Sequence, residues 1–134
     1  MLIVTITGIL LLIAGLVTTL LAVTRHRATV PRDDTTPDPV EGARGLTVEA
    51  GDMFFAPDRI EITAEEQLNL TLDNAGQVFH DLAIEDLDVR LAADPGTTTT
   101  GSLQVDQPGE YGFICTVPSH AAAGMHGTLN VQDR

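Results

Sequence analysis

An antiparallel all-β sandwich or barrel is the fold class this sequence predicts for residues 45–134, behind a single apolar N-terminal segment. Three observations point there. From Leu46 onward apolar residues alternate with polar ones in short runs, the period of a half-buried strand. Turn-forming clusters, Asn74-Ala75-Gly76, Asp94-Pro95-Gly96 and Gln107-Pro108-Gly109, break those runs at close spacing. Strong helical periodicity is missing from the same stretch, and many short strands without helices pack as a sandwich or barrel. The chain of 134 residues suffices for one domain and a tail. The domain, at about 90 residues, allows one core of modest size.

Residues 1–24 are almost wholly apolar and carry no charge; about 20 such residues span a bilayer as a helix. A secretory signal is the rival reading, but its apolar region runs roughly 7–15 residues behind basic ones. Here no basic residue precedes the run, and Ala22-Val23-Thr24 makes a poor cleavage site. A transmembrane or signal anchor that stays attached is therefore favoured. Arg25, His26 and Arg27 follow directly, a flank that prefers the cytoplasm under the positive-inside rule. Residues 25–44 read as a linker, with Pro31, Pro37 and Pro39 among Asp, Thr and Gly. Such a segment is semi-extended and reaches on the order of 40–50 Å.

The strands follow in order. Leu46, Thr47 and Val48 alternate; Ile60 and Ile62 share one face; Leu68, Leu70 and Leu72 share another, with Asn69 and Thr71 opposite. His80, Leu82 and Ile84 lie on one face of the next strand. Residues 85–100 read as a long connection holding a run of threonines, and Leu103 with Val105 opens a further strand. Tyr111, Phe113 and Cys115 alternate into a loop, and Leu129 with Val131 leads out of it. Phe54, Phe55 and Phe79 are expected in the core, and Met53 in the core or at its rim.

Charge divides the chain. Residues 45–134 carry fifteen Asp and Glu against three Arg, while the first forty-four residues balance to zero. The acidity belongs to the β domain, which argues against nucleic acid or anionic lipid as a partner. It suits a basic protein partner or simply a soluble surface.

The chemistry concentrates in residues 111–131. Cys115, His120 and Met125 stand five positions apart in one loop. The single cysteine excludes an intramolecular disulfide. Thiolate, imidazole and thioether suit copper, and two His, one Cys and a weak Met make the donor set of a blue-copper electron-transfer site. The second imidazole is His80. Alone, a histidine on an apolar strand face is more often a buried residue satisfied by a carbonyl; beside the other three donors it reads as the fourth ligand. A free thiol has a pKa of about 8.5, so a metal must displace its proton. This donor set leaves no open position for a substrate, which suits passing one electron rather than making or breaking bonds.

These residues resemble the cupredoxins, type 1 blue-copper proteins of the plastocyanin and azurin kind. The match runs through Phe55-Ala56-Pro57, Ile60 and Ile62, Leu70-Thr71-Leu72-Asp73-Asn74, His80-Asp81, then residues 108–115, His120, Met125, Gly127 and Leu129. The spacing from Cys to His to Met is similar to that of auracyanin and rusticyanin. The resemblance implies an eight-stranded Greek-key sandwich with one copper ion near one end, ligated by His80, Cys115, His120 and Met125. It also implies His120 as the electron port, flanked here by the apolar Pro118, Ala121, Ala122 and Ala123. Redox partner proteins, a cytochrome or terminal oxidase among them, would dock there. Family members often have Asn after the first His, where this chain has Asp81. The backbone N–H groups of Asp81 and Val117 are expected to reach the Cys115 sulfur and tune its potential. Asn74 is read as a turn residue or a tie to the ligand loop, and His126 as a surface residue.

The expected function is a membrane-tethered carrier of single electrons, with the copper domain outside the cytoplasmic membrane. That placement expects further basic residues ahead of Met1. Copper storage or delivery on the same fold is the alternative. A multicopper oxidase or nitrite reductase would need His-X-His pairs and a dinuclear site a second cysteine, and neither is in the sequence. The protein is accordingly expected not to be an enzyme.

Overall fold

The computed structural model describes residues 36–134. The expected membrane segment and the start of the linker lie outside the described residues, and no helix among the described residues is long and apolar enough to cross a membrane. Most alternating runs become sheet, but Leu103, expected to open a strand, closes one, and Val105 lies in the loop after it. In chain order the strands are β1 (Arg44–Gly51), β2 (Phe54–Ala56), β3 (Arg59–Thr63), β4 (Leu68–Asn74), β5 (His80–Ile84), β6 (Val89–Ala93), β7 (Thr98–Leu103), β8 (Gly109–Ile114) and β9 (His126–Gln132). They form two sheets, ordered β2-β1-β4-β7 and β3-β9-β8-β5-β6. Neighbours that are not consecutive in sequence give the crossing connections of a Greek-key sandwich.

Two details differ from the expected eight antiparallel strands. β2 is a three-residue strand folded back on β1, which brings the number among the described residues to nine. β1 pairs with β4, and β3 with β9, in parallel. The stretch read as one long connection, residues 85–100, holds a short 3-10 turn, all of β6 and the start of β7. Val89, Leu91 and Ala93 alternate inward from β6. The threonine run, polar in composition, is β-branched and suits a strand; Thr100 meets Thr71 of β4 hydroxyl to hydroxyl at 2.8 Å.

Leu68, Leu70 and Leu72 of β4 face Leu82, Ile84, Phe113, Leu129 and Val131 of the other sheet within one core. Phe113 is wholly buried and packs edge-on to Phe55, with ring centroids 5.4 Å apart. Burial of such a side chain contributes about 1.5–3 kcal/mol. Gly127 makes room for it, since a Cβ there would stand 2.2 Å from the Phe113 ring and 2.4 Å from the Asp58 carbonyl. Phe55 is in the core as expected, but Phe54 and Phe79 are exposed. Phe54 alternates with Phe55 along β2 and so takes the outer face, whereas Phe79 precedes β5 in a loop.

Residues 36–43, read from the sequence as the end of the linker, are hydrogen-bonded to the sandwich. Buried Thr36 accepts the Arg90 N–H through its hydroxyl at 3.1 Å and donates to the Arg90 carbonyl. The Pro37 carbonyl accepts the Ser102 N–H at 2.9 Å, and Val40 exchanges two bonds with the Asn69 side chain. The segment thus runs across β6 and β7, the end strands of the two sheets.

Candidate metal centre

Strand ends gather the donors. His80 opens β5, Cys115 follows the last residue of β8, and Met125 precedes the first residue of β9. β8 runs antiparallel to both neighbours, so these three positions share one end of the sheet. The loop between Cys115 and Met125 folds on itself. His120 N–H donates to the Val117 carbonyl, Met125 N–H to the His120 carbonyl, and Cys115 N–H to the Met125 carbonyl, each at 3.1 Å. Ser119 takes the left-handed conformation, with φ at 74°.

The result is a cluster. One donor atom each from His80, Cys115 and His120 lies within 4.8 Å of the other two. The Cys115 sulfur is 4.0 Å from His80 Nδ1 and 3.5 Å from His120 Nδ1. The two rings are 5.1 Å apart by centroid and tilted by 57°. His80 and Cys115 are buried, whereas His120 is half-buried and reaches the surface. Met125 is wholly buried, its backbone bonded to those of Cys115 and His120. His126 is exposed and Met53 half-buried, as the sequence indicated.

Electrostatics at the sulfur are mixed. Burial pushes the Cys115 thiol above its ordinary range; the N–H groups of Asp81 and Val117 pull it back only in part. The nearby Asp81 carboxylate adds to the rise. A metal binding here must displace the thiol proton against that rise.

Asp81 stands where the family often has Asn, and its surroundings explain how a carboxylate is tolerated there. Burial would raise its pKa, but the hydroxyl and N–H of Thr116 and the Arg90 guanidinium outweigh burial and hold it low. The N–H of Thr116 is 2.6 Å from Oδ1, and Arg90 Nε is 2.7 Å from Oδ2. The side chain thereby ties β5 to the residue after Cys115. Sequence reasoning missed Arg90, because its strand was read as a connection; in the sheet Asp81 pairs with Ala92, which puts Arg90 on the diagonal.

Two further residues frame His80. Asn74 donates to the carbonyls of Val78 and Ala93 at 2.9 and 2.8 Å and accepts the Gly76 N–H at 3.0 Å. It fixes the turn that leads into His80. Asp52, in the turn after β1, places Oδ1 3.2 Å from His80 Nε2. No pattern in the sequence marks Asp52, which meets His80 across 28 residues. Among the described residues no buried side-chain polar atom lacks a partner.

A β-sandwich with a thiol and two imidazoles converging at one end, beside a buried thioether, is the architecture of a small copper protein. The chain belongs to the cupredoxin-like domain family, whose model matches residues 11–131. Solved structures share the fold at low identity. Auracyanin from Roseiflexus castenholzii is 20% identical over 67% of this chain and 98% of its own, with a TM-score of 0.58. Auracyanin B is 23% identical over 73% and 95%, with a TM-score of 0.60. The periplasmic domain of subunit II of a Bradyrhizobium japonicum cytochrome oxidase is 12% identical over 67% and 84%, with a TM-score of 0.57. No curated protein sequence matches the chain. The family and the donor set fit a single copper ion: soft thiolate, two borderline imidazoles and a thioether, with the thiol buried away from competing chemistry.

Proposed function

We propose that the protein is a mononuclear type 1 copper carrier of single electrons, with His80, Cys115, His120 and Met125 as ligands. The observation that carries this reading is the convergence of His80, Cys115 and His120 within 4.8 Å on a buried thiol. Copper, when bound, supplies a one-electron couple. The chain supplies the rest. Strand ends and the closed loop hold the donors in place, so that little movement accompanies a change of charge. The Asp81 and Val117 N–H groups stabilise charge on the sulfur. Met125 offers a weak donor that tunes potential more than it holds the metal, and half-buried His120 links the interior to the surface.

The test is the visible spectrum of the full-length chain after adding copper(II), beside Cys115→Ser. An intense thiolate-to-copper band, bleached by ascorbate and absent from the variant, is the expected outcome. A weak spectrum typical of nitrogen and oxygen ligation, unchanged by the substitution, would discard the carrier in favour of copper storage or delivery.

The placement and the partner extend the proposal. An apolar segment at residues 1–24 supports a membrane tether, and the domain is assigned to the outer side of the cytoplasmic membrane. Protease added to intact cells should then cut it; a protected domain would refute the placement. For docking, Val78 and Phe79 are exposed near the start of β5, as are Pro118, Ala122 and Ala123 in the His120 loop. With an acidic domain around them, a basic redox protein such as a cytochrome or an oxidase subunit is the fitting partner. Its association should slow as salt rises, and a rate indifferent to ionic strength would remove charge from the account.

A further inference from the structure

We propose that Asp52 is a positioning residue for the copper site: its carboxylate keeps the His80 proton on Nε2, so that Nδ1 offers its lone pair beside Cys115. The proposal rests on the ligand assignment above.

The two ring nitrogens of His80 meet different neighbours. Nδ1 is 4.0 Å from the Cys115 sulfur, and Nε2 is 3.2 Å from Asp52 Oδ1. A neutral imidazole has one N–H and one lone pair, and an ionised carboxylate only accepts. The contact with Asp52 therefore assigns the proton to Nε2 and frees Nδ1. The His80 side chain is wholly buried, while that of Asp52 is 42% exposed, so the carboxylate stands between the ring and solvent.

The arrangement is built rather than incidental. Asp52 is itself held, because both of its oxygens accept the Gln77 N–H, at 3.0 and 3.2 Å. Gly76 clears the space: a Cβ there would stand 2.5 Å from Asp52 Oδ1 and 2.9 Å from His80 Nε2. A Cβ there would force the carboxylate or the ring to shift. His120 has no comparable carboxylate among the described residues. The carboxylate thus acts on one imidazole of the two. Carboxylate partners behind a ligating histidine orient the ring and raise its basicity, and losing one typically costs about 10- to 100-fold in metal affinity.

Imidazole nitrogen–proton correlation spectra of the copper-free, full-length chain read the tautomer without any metal. The Nε2–H form of His80 should dominate in the wild type and persist in Asp52→Asn, whose amide oxygen still accepts. It should give way to a mixed population in Asp52→Ala, and also in Gly76→Ala, which keeps Asp52 but forces it or the ring to shift. In a chelator competition, copper affinity should fall about 10- to 100-fold in Asp52→Ala. Removing the negative charge should favour copper(I) over copper(II), so the reduction potential should rise in both Asp52 variants. A wild-type tautomer in Asp52→Ala would overturn the proposal and leave Asp52 as the partner of Gln77 alone. A wild-type chain without a thiolate-to-copper band would overturn the ligand assignment instead, and the metal-free tautomer would still decide the role of Asp52.

Discussion

The two imidazoles of the site are held in opposite ways. His80 opens a strand, and its fixed neighbours come from far along the chain: Asp52 lies 28 residues before it, and Asp81 beside it reaches Thr116 35 residues later. His120 sits in a loop whose backbone bonds close over a few residues, from Val117 to His120 and from His120 to Met125. One side of the site is braced by the sandwich, the other by its own turn. The side that meets the surface needs no distant partner, and the side sealed in the core is locked by charged ones. The site therefore has one half fixed by distant contacts and one locally folded half that carries the more exposed imidazole.

The largest effect should come from breaking the braced side. Asp81→Ala strips the Thr116 N–H, the Thr116 hydroxyl and Arg90 of their shared acceptor. Removing one partner of a buried ion pair costs roughly 3–5 kcal/mol, and the half-exposed Arg90 places this one near the lower end. Urea denaturation of the copper-free chain should show the loss. A change below about 1 kcal/mol would mean that the brace is not what separates the two halves.

Acid sharpens the same contrast. The Asp81 carboxyl is held below its ordinary value of 3.8, because the Thr116 and Arg90 bonds outweigh the upward push of burial. A group depressed in the folded state stabilises above its unfolded pKa and loses that contribution as pH falls through the folded one. Wild-type stability should therefore drop more steeply than that of Asp81→Asn below about pH 4. Parallel acid curves for the two proteins would remove Asp81 from the account.

A smaller effect is expected at the strap. Thr36→Val keeps the shape but loses both hydroxyl bonds to the Arg90 backbone, worth about 1–2 kcal/mol in urea midpoint analysis. If no loss appears, residues 36–43 merely lie on the sheet edges. Smallest of all should be the port side: Ala122→Ser, exposed in the loop turn, should change stability by less than about 0.5 kcal/mol. A larger loss there would show that the loop, too, depends on the rest of the domain.

Legibility followed the same division. Cys115, His120 and Met125 stand in one loop, and their spacing was enough to nominate them. His80 was found only because the donor set in that loop called for a second imidazole; its own apolar strand face would have passed for core. Most strands showed in their alternation. β6 and the start of β7 did not, since short runs of Val, Leu and Ala beside consecutive threonines look like a connection until a neighbouring strand supplies their pairing. Phe54 and Phe79 were misplaced because an aromatic side chain carries no mark of which face it will take.

Sequence alone determined the β architecture, the acidic domain and the donor set, because each is written in local composition, period and spacing. Tertiary structure decided the distant partners: Asp52 behind His80, Arg90 and Thr116 around Asp81, and Thr36 against the β6 backbone. Those contacts join residues from 9 to 54 positions apart. A hydrogen bond acts over about 3 Å, so such partners are chosen only when the sheets bring distant strands side by side.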